Sequence, residues 1–209
     1  MASNYNPSIV TSGLQVYLDA ANVKSYPGSG TSWLDLTGNG NHFTLVSSPT
    51  WSSANGGVFE TNGTTSAITS DYNTYSTNKY TIMSATRIIS GGRMLTARYN
   101  NWLLGHHSGA GPNYYADGWI NNQGFLAGSS WHIWTGTGDT STDTWSMWYD
   151  NTFVVQNSLG VNGPNGFNIG GQTNERANGQ ISFLLIYNSI LTSDQILQNY
   201  NALRGRFGL

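Results

Sequence analysis

Short segments in which apolar and polar residues alternate dominate this chain. Gly13 to Ala20 reads GLQVYLDA and sets Leu14, Val16 and Leu18 on one side. Tyr80 to Ile89 alternates likewise, with Tyr80, Ile82, Ser84, Thr86 and Ile88 sharing a face. Thr144 to Tyr149 places Trp145, Met147 and Tyr149 together. It runs into Asp150-Asn151, a pair suited to a tight hairpin turn, and Phe153 to Val155 returns. Gly179 to Tyr187 (GQISFLLIY) is apolar almost throughout, which predicts a central strand covered on both faces. Gly- and Asn-rich turns separate such segments at roughly the 8–12-residue spacing of β-sandwiches. The pattern predicts an all-β fold, a two-sheet antiparallel jelly-roll sandwich.

One helix interrupts it near the C-terminus. Thr192 is an N-cap with Gln195 three residues on, which makes a capping box. Leu191 and Ile196 flank the cap as a hydrophobic staple. Ile196, Leu197, Tyr200 and Leu203 fall at helical spacing on one face. Arg204 suits the negative helix end and Gly205 the C′ position. The predicted helix covers Ser193 to Leu203 and packs on the sandwich. Residues 1–12 form a short arm or first strand, and 13–209 form the sandwich domain.

Composition narrows the partners. The 209 residues include 8 Lys+Arg and 10 Asp+Glu, for a formal net charge of −2. Charged residues make up 9%, against about 25% in an average domain. The basic residues are scattered from Lys24 to Arg206. Nucleic acid, which requires clustered Lys and Arg, is set aside as a partner, and so are anionic membrane surfaces. Aromatics at 13% argue against disorder. With no cysteine, disulfides and thiolate metal sites are excluded. No run approaches the roughly 18 apolar residues of a membrane helix. Met1 to Pro7 has neither a basic nor an apolar leader region, so no secretory signal is expected.

The opening, GLQVYLDAAN (13–22) with SYPGSGT (25–31) and WLDLTGNGN (33–41), resembles laminin-G-like domains of the concanavalin A-like lectin/glucanase superfamily. The TWSMWYDN stretch (144–151) and the ending, Gly179 to Asn188 followed by Asn199-Tyr200-Asn201-Ala202, resemble the same domains. That resemblance implies a jelly roll with a concave face. Domains of this kind resemble structural proteins of bacteriophages. It therefore implies a non-enzymatic virion-surface protein: a capsid decoration, head fibre or tail-fibre module, made in the host cytoplasm without a secretory signal. Its partners would be other virion proteins or copies of itself, and host-surface glycans. The alternative is a carbohydrate-binding module or lectin for neutral glycans. Relatives sometimes bind calcium through a Phe-Asp-Gly-x-x-Asp stretch. Here Phe59 to Ile68 reads FETNGTTSAI, without the second Asp.

Chemistry is sparse. Glycoside hydrolysis requires two facing carboxylates. The two glutamates, Glu60 and Glu175, each stand apart from other acids in sequence, so no catalytic residues are assigned. No Gly-x-Ser-x-Gly elbow is visible. Gly105 to Gly111 lacks the Lys-Ser/Thr of a phosphate loop. His106 and His107 are adjacent on a strand and point to opposite faces, which opposes shared metal binding. Asp139 and Asp143 are the weak calcium candidates, in a loop that reads more readily as two solvated acids before a strand; no other cofactor is expected. The aromatics carry the remaining hypothesis. Tyr114, Tyr115, Trp119, Trp131 and Trp134 would offer stacking faces for a sugar, with Asn113, Asp117, Asn121 and Asn122 binding its hydroxyls. The competing reading makes them core and interface residues.

Overall fold

The computed structural model describes residues 8–75, 77–127, 129–172 and 174–209. Its strands begin with β1 (Leu14–Asp19), β2 (Ser32–Trp33), β3 (Phe43–Val46), β4 (Thr50–Ser52), β5 (Val58–Asn62) and β6 (Ala67–Ser70). The long β7 (Lys79–Gly91) precedes β8 (Leu95–Ala97), β9 (Trp102–His107), β10 (Ala110–Ala116) and β11 (Trp119–Ala127). Then come β12 (His132–Asp139), β13 (Thr144–Tyr149), β14 (Thr152–Asn157), β15 (Phe167–Ile169) and β16 (Ala177–Tyr187), before helix α1 (Ser193–Leu203). Among the described residues the strands form two antiparallel sheets of eight. The back sheet runs β14-β13-β12-β7-β16-β5-β4, with β1 also on β16, and the front sheet runs β11-β10-β9-β8-β15-β6-β3-β2.

Alternation explains the layers. Val16, Leu18, Phe59, Tyr80, Ile82, Trp134, Trp145 and Met147 of the back sheet meet Trp33, Phe43, Ile68, Leu95, Trp102 and Phe167 of the front sheet in the core. A hydrogen-bonded chain crosses that core. Trp102 Nε1 donates to Tyr80 Oη (3.2 Å), Tyr80 and Tyr114 share a bond of 2.6 Å, and Tyr114 Oη donates to the Thr137 carbonyl (3.1 Å).

The back sheet is covered outside as well. Met83, Ala85, Ile133, Phe183, Leu185 and Tyr187 pack under Leu191, Ile196 and Leu203 of the C-terminal segment. This double coverage is what the continuous apolar run of β16 predicts. Ile181, Leu184 and Ile186 point between the sheets, while Phe183, Leu185 and Tyr187 point at the helix.

The capping box at Thr192 and Gln195 forms with both of its bonds. Asp150 and Asn151 both adopt positive φ (45° and 63°), the two-residue turn expected between β13 and β14.

Three local expectations are corrected. A register shift lies between Leu14 and Val16, so Leu14 leaves the inner face and packs on the helix side. Leu197 is 39% exposed; Asn199 takes the buried place, with Oδ1 accepting from Val10 N (2.7 Å) and Nδ2 donating to Tyr187 Oη (2.9 Å). Gly205 does not close the helix in a left-handed conformation, because the chain continues into a 3₁₀ turn, Arg204–Arg206. Of the expected N-terminal arm, residues 1–7 lie outside the described residues. Residues 8–12 carry no strand and are tied down through Val10, whose carbonyl accepts from Tyr187 Oη (2.9 Å).

Candidate functional site

The C-terminal helix covers the middle of the back sheet, whereas no helix packs on the outer face of the front sheet among the described residues. Cross-strand pairing defines a row along it. Trp119 pairs with Tyr115, Tyr115 with Leu103, Leu103 with Thr96, Thr96 with Asn168, Asn168 with Thr69, and Thr69 with Thr44. Directly opposed residues share a face, and the neighbours of this row (Leu95, Phe167, Ile68, Phe43) point into the core. The row therefore points outward. It passes from aromatic, through buried Leu103 and Thr96, to polar.

Two hollows lie over this face. One, of about 290 Å³, is bounded by Asn41, His42, Thr44, Thr69, Asp71 and Tyr72. The other, of about 440 Å³, is bounded by Arg93, Tyr99, Asn100, Asn101, Gln172 and Glu175. Arg98 lines both. Its Nη1 meets Asp71 Oδ1 at 2.9 Å, and its guanidinium lies 5.1 Å from the centre of the Tyr99 ring. Tyr99 Oη donates to the same Asp71 oxygen (2.6 Å). In the larger hollow, Arg93 Nε stands 2.7 Å from Glu175 Oε2 but out of line for a hydrogen bond, while Arg93 Nη1 donates to Asn101 Oδ1 (2.5 Å). His107 Nε2 lies 3.1 Å from Glu175 Oε1, and its ring is 5.5 Å from that of Trp119. Trp119 in turn contacts Tyr115 edge-on at 5.0 Å. Contacts thus link Trp119 to His107, His107 to Glu175 and Glu175 to Arg93, which shares the larger hollow with Arg98.

The aromatic and polar residues expected to hold a sugar are divided by the fold. Tyr115 and Trp119 reach this outer face, half-buried. Asp117 supports it from below: its Oδ2 accepts from Asn100 Nδ2 and Asn162 Nδ2, each at 3.2 Å. Tyr114 and Trp134 are core residues with no free face. Trp134 fits because Gly105 and Gly111 stand against its ring; a Cβ at either would come within 2.8 or 2.7 Å of it. Asn113 and Asn121 are buried and bond to the Ala110 and Pro112 carbonyls. Asn122 is exposed. Trp131 belongs to the other side of the molecule, stacked 4.9 Å from Phe207 with Arg87 over its ring.

Sequence reading missed Asp71, Arg93, Arg98, Tyr99 and Glu175. They arrive from loops far apart in the chain and form no motif.

The remaining candidates have structural partners. His106 points inward to Thr86 and Trp134, and His107 points outward. Burial, reinforced by the charge of His132, pushes His106 down to about 3. Glu60 accepts from Gln180 on the outer side of the back sheet, so the two glutamates occupy opposite sides of the sandwich.

Asp139 offers poor ligation for calcium. Its Oδ1 accepts from Ser141 N, Ser141 Oγ and Thr142 N, and its Oδ2 meets Lys79 at 3.3 Å. Burial opposes its charge, but these donors outweigh burial and hold its pKa at about 2. Asp143 is exposed in a left-handed turn. No group of three or more metal-ligating side chains comes together among the described residues.

The fold is an antiparallel jelly-roll β-sandwich with a short helix packed on one of its two sheets. Solved structures with this architecture include botulinum neurotoxin type C, from work on its interaction with two ganglioside molecules (TM-score 0.70, 12% identity, 92% of this chain, 51% of that one). The binding domain of botulinum neurotoxin DC in complex with SialylT is another (0.67, 13%, 92% and 52%). Domain 4 of AbnA, an extracellular arabinanase of Geobacillus stearothermophilus, in complex with arabinotriose, is similar over 90% of this chain and 98% of its own (0.67, 16%). The chain thus spans about half of the neurotoxin chains, at 51–52%, and nearly all of the arabinanase domain. No family model and no curated protein matches the sequence.

Proposed function

We propose that this domain is a non-catalytic carbohydrate-binding module whose site is the outer face of the front sheet. The observation that carries this reading is the asymmetry of the sandwich. A helix covers the middle of one sheet, and the other presents half-buried Tyr115 and Trp119 on its outer face together with charge-paired and amide side chains around two hollows. A half-buried tryptophan beside planar polar groups suits a sugar, whose CH-rich face stacks while its hydroxyls exchange hydrogen bonds. The similar folds that bind gangliosides or arabinotriose support the class of ligand and leave its identity open.

A glycan array with the purified domain tests this, paired with Trp119→Ala. Binding to a restricted group of glycans is expected, lost in the variant while the melting temperature is kept. A blank array, or full binding by the variant, would overturn the reading.

The virion-surface setting implied by the resemblance concerns where the same face is displayed. It is a proposal about location, tested by mass spectrometry of purified particles: presence at stoichiometric copy number supports it, and absence removes it.

A further inference from the structure

The open face carries more than a general affinity for sugars, because its charges are matched. Arg98 faces Asp71 at 2.9 Å and Arg93 faces Glu175 at 2.7 Å. These four groups bound the two hollows, so the groove holds two positive and two negative side chains at close range. A carboxylate ligand that reached either guanidinium would come up against Asp71, whose side chain is 76% exposed, or Glu175. Like charges at that range repel. An uncharged hydroxyl meets no such opposition. It donates to a carboxylate oxygen and accepts from a guanidinium at once. The Arg98–Asp71 pair presents such a donor edge and acceptor edge side by side.

The second observation is spatial. Arg98 is the residue common to both hollows, and its partner Asp71 lines the smaller one. The hollows measure about 290 and 440 Å³. The first falls just under, and the second in the lower part of, the roughly 300–1,000 Å³ range of small-ligand pockets. Each suits one ring, and the two together suit a short chain that crosses the ion pair.

Resting on the carbohydrate-binding reading above, we propose that the groove takes an unbranched, uncharged oligosaccharide lying across the Arg98–Asp71 pair with one ring in each hollow. Occupancy of linked subsites raises affinity through effective concentration, so chain length is the signature. Asp71, Arg98 and Tyr99 form the bridge, and Arg93 with Glu175 forms the floor of the larger subsite.

Isothermal titration with arabinotriose, cellotriose and maltotriose, their monosaccharides, and trigalacturonic acid tests this. At least one neutral trisaccharide should bind tenfold or more tightly than its own monosaccharide. Trigalacturonic acid should bind more weakly than that trisaccharide. Changing NaCl from 50 to 500 mM should leave the neutral affinity within twofold, since no net charge is neutralised. Arg98→Ala, at an exposed position, should fold normally and bring the trisaccharide within threefold of the monosaccharide.

Equal affinity for one ring and three, a preference for the acidic trimer, an unchanged length ratio in Arg98→Ala, or no binding of any of these probes overturns the inference. Array binding to other glycans that depends on Trp119 would then leave the broader function standing. A blank array removes both.

Discussion

At the scale of single residues, the interior decides what the aromatic side chains do. Gly105 (φ +101°) and Gly111 leave the space that Trp134 fills. Gly105→Ala combines a strained backbone with overpacking, and a loss of about 2–4 kcal/mol in urea unfolding is expected. Tyr114→Phe removes the donor to the Thr137 carbonyl and the partner of Tyr80 Oη in a buried chain. A loss of about 1–3 kcal/mol is expected, with the sheets otherwise intact by circular dichroism.

His106 supplies a pH dependence. Its pKa falls from 6.5 unfolded to about 3 folded, so between those values the unfolded chain binds the extra proton. Stability should therefore fall as pH drops through that window. His106→Asn should flatten the wild-type change in melting temperature between pH 7 and pH 5. An equal slope in both proteins would refute the assignment.

At the scale of elements, the C-terminal helix acts as a lid on the back sheet. Its N-terminus is closed by Thr192 and Gln195, and Thr192→Ala should cost about 1 kcal/mol in thermal or denaturant unfolding. Asn199 ties the helix to β16 and to the segment around Val10. Asn199→Leu should cost about 1–3 kcal/mol by leaving the buried Val10 N–H unpaired. Its amide should then exchange with solvent at the rate of a frayed segment.

These elements were legible in the chain because their signals are local: a capping box, a paired turn, a doubly apolar strand. The front sheet was less legible. Register shifts between Gly111 and Asn113 and between Tyr114 and Tyr115 interrupt the alternation that assigns faces. Tyr114 lies in the core and Tyr115 half-buried on the outer face. The groove's charged pairs join positions 71 to 98 and 93 to 175. Such contacts depend on how strands are ordered in space, which no periodicity reports.

At the scale of the molecule, the two sheets are unequal partners. One is a buried wall between core and helix, and the other is a platform. The segment at Ser8 and Val10 and the chain beyond the helix both run along the wall: Gln198 Nε2 donates to the Ser8 carbonyl, and Phe207 packs on Phe183 and Trp131. Ser8 and the chain beyond Leu203 both lie against the wall, on the side away from the two hollows. Immobilising the protein through its N-terminus or through its C-terminus should therefore yield the same glycan profile. Neighbouring copies anchored side by side would turn parallel grooves toward a common target, like the bristles of a brush.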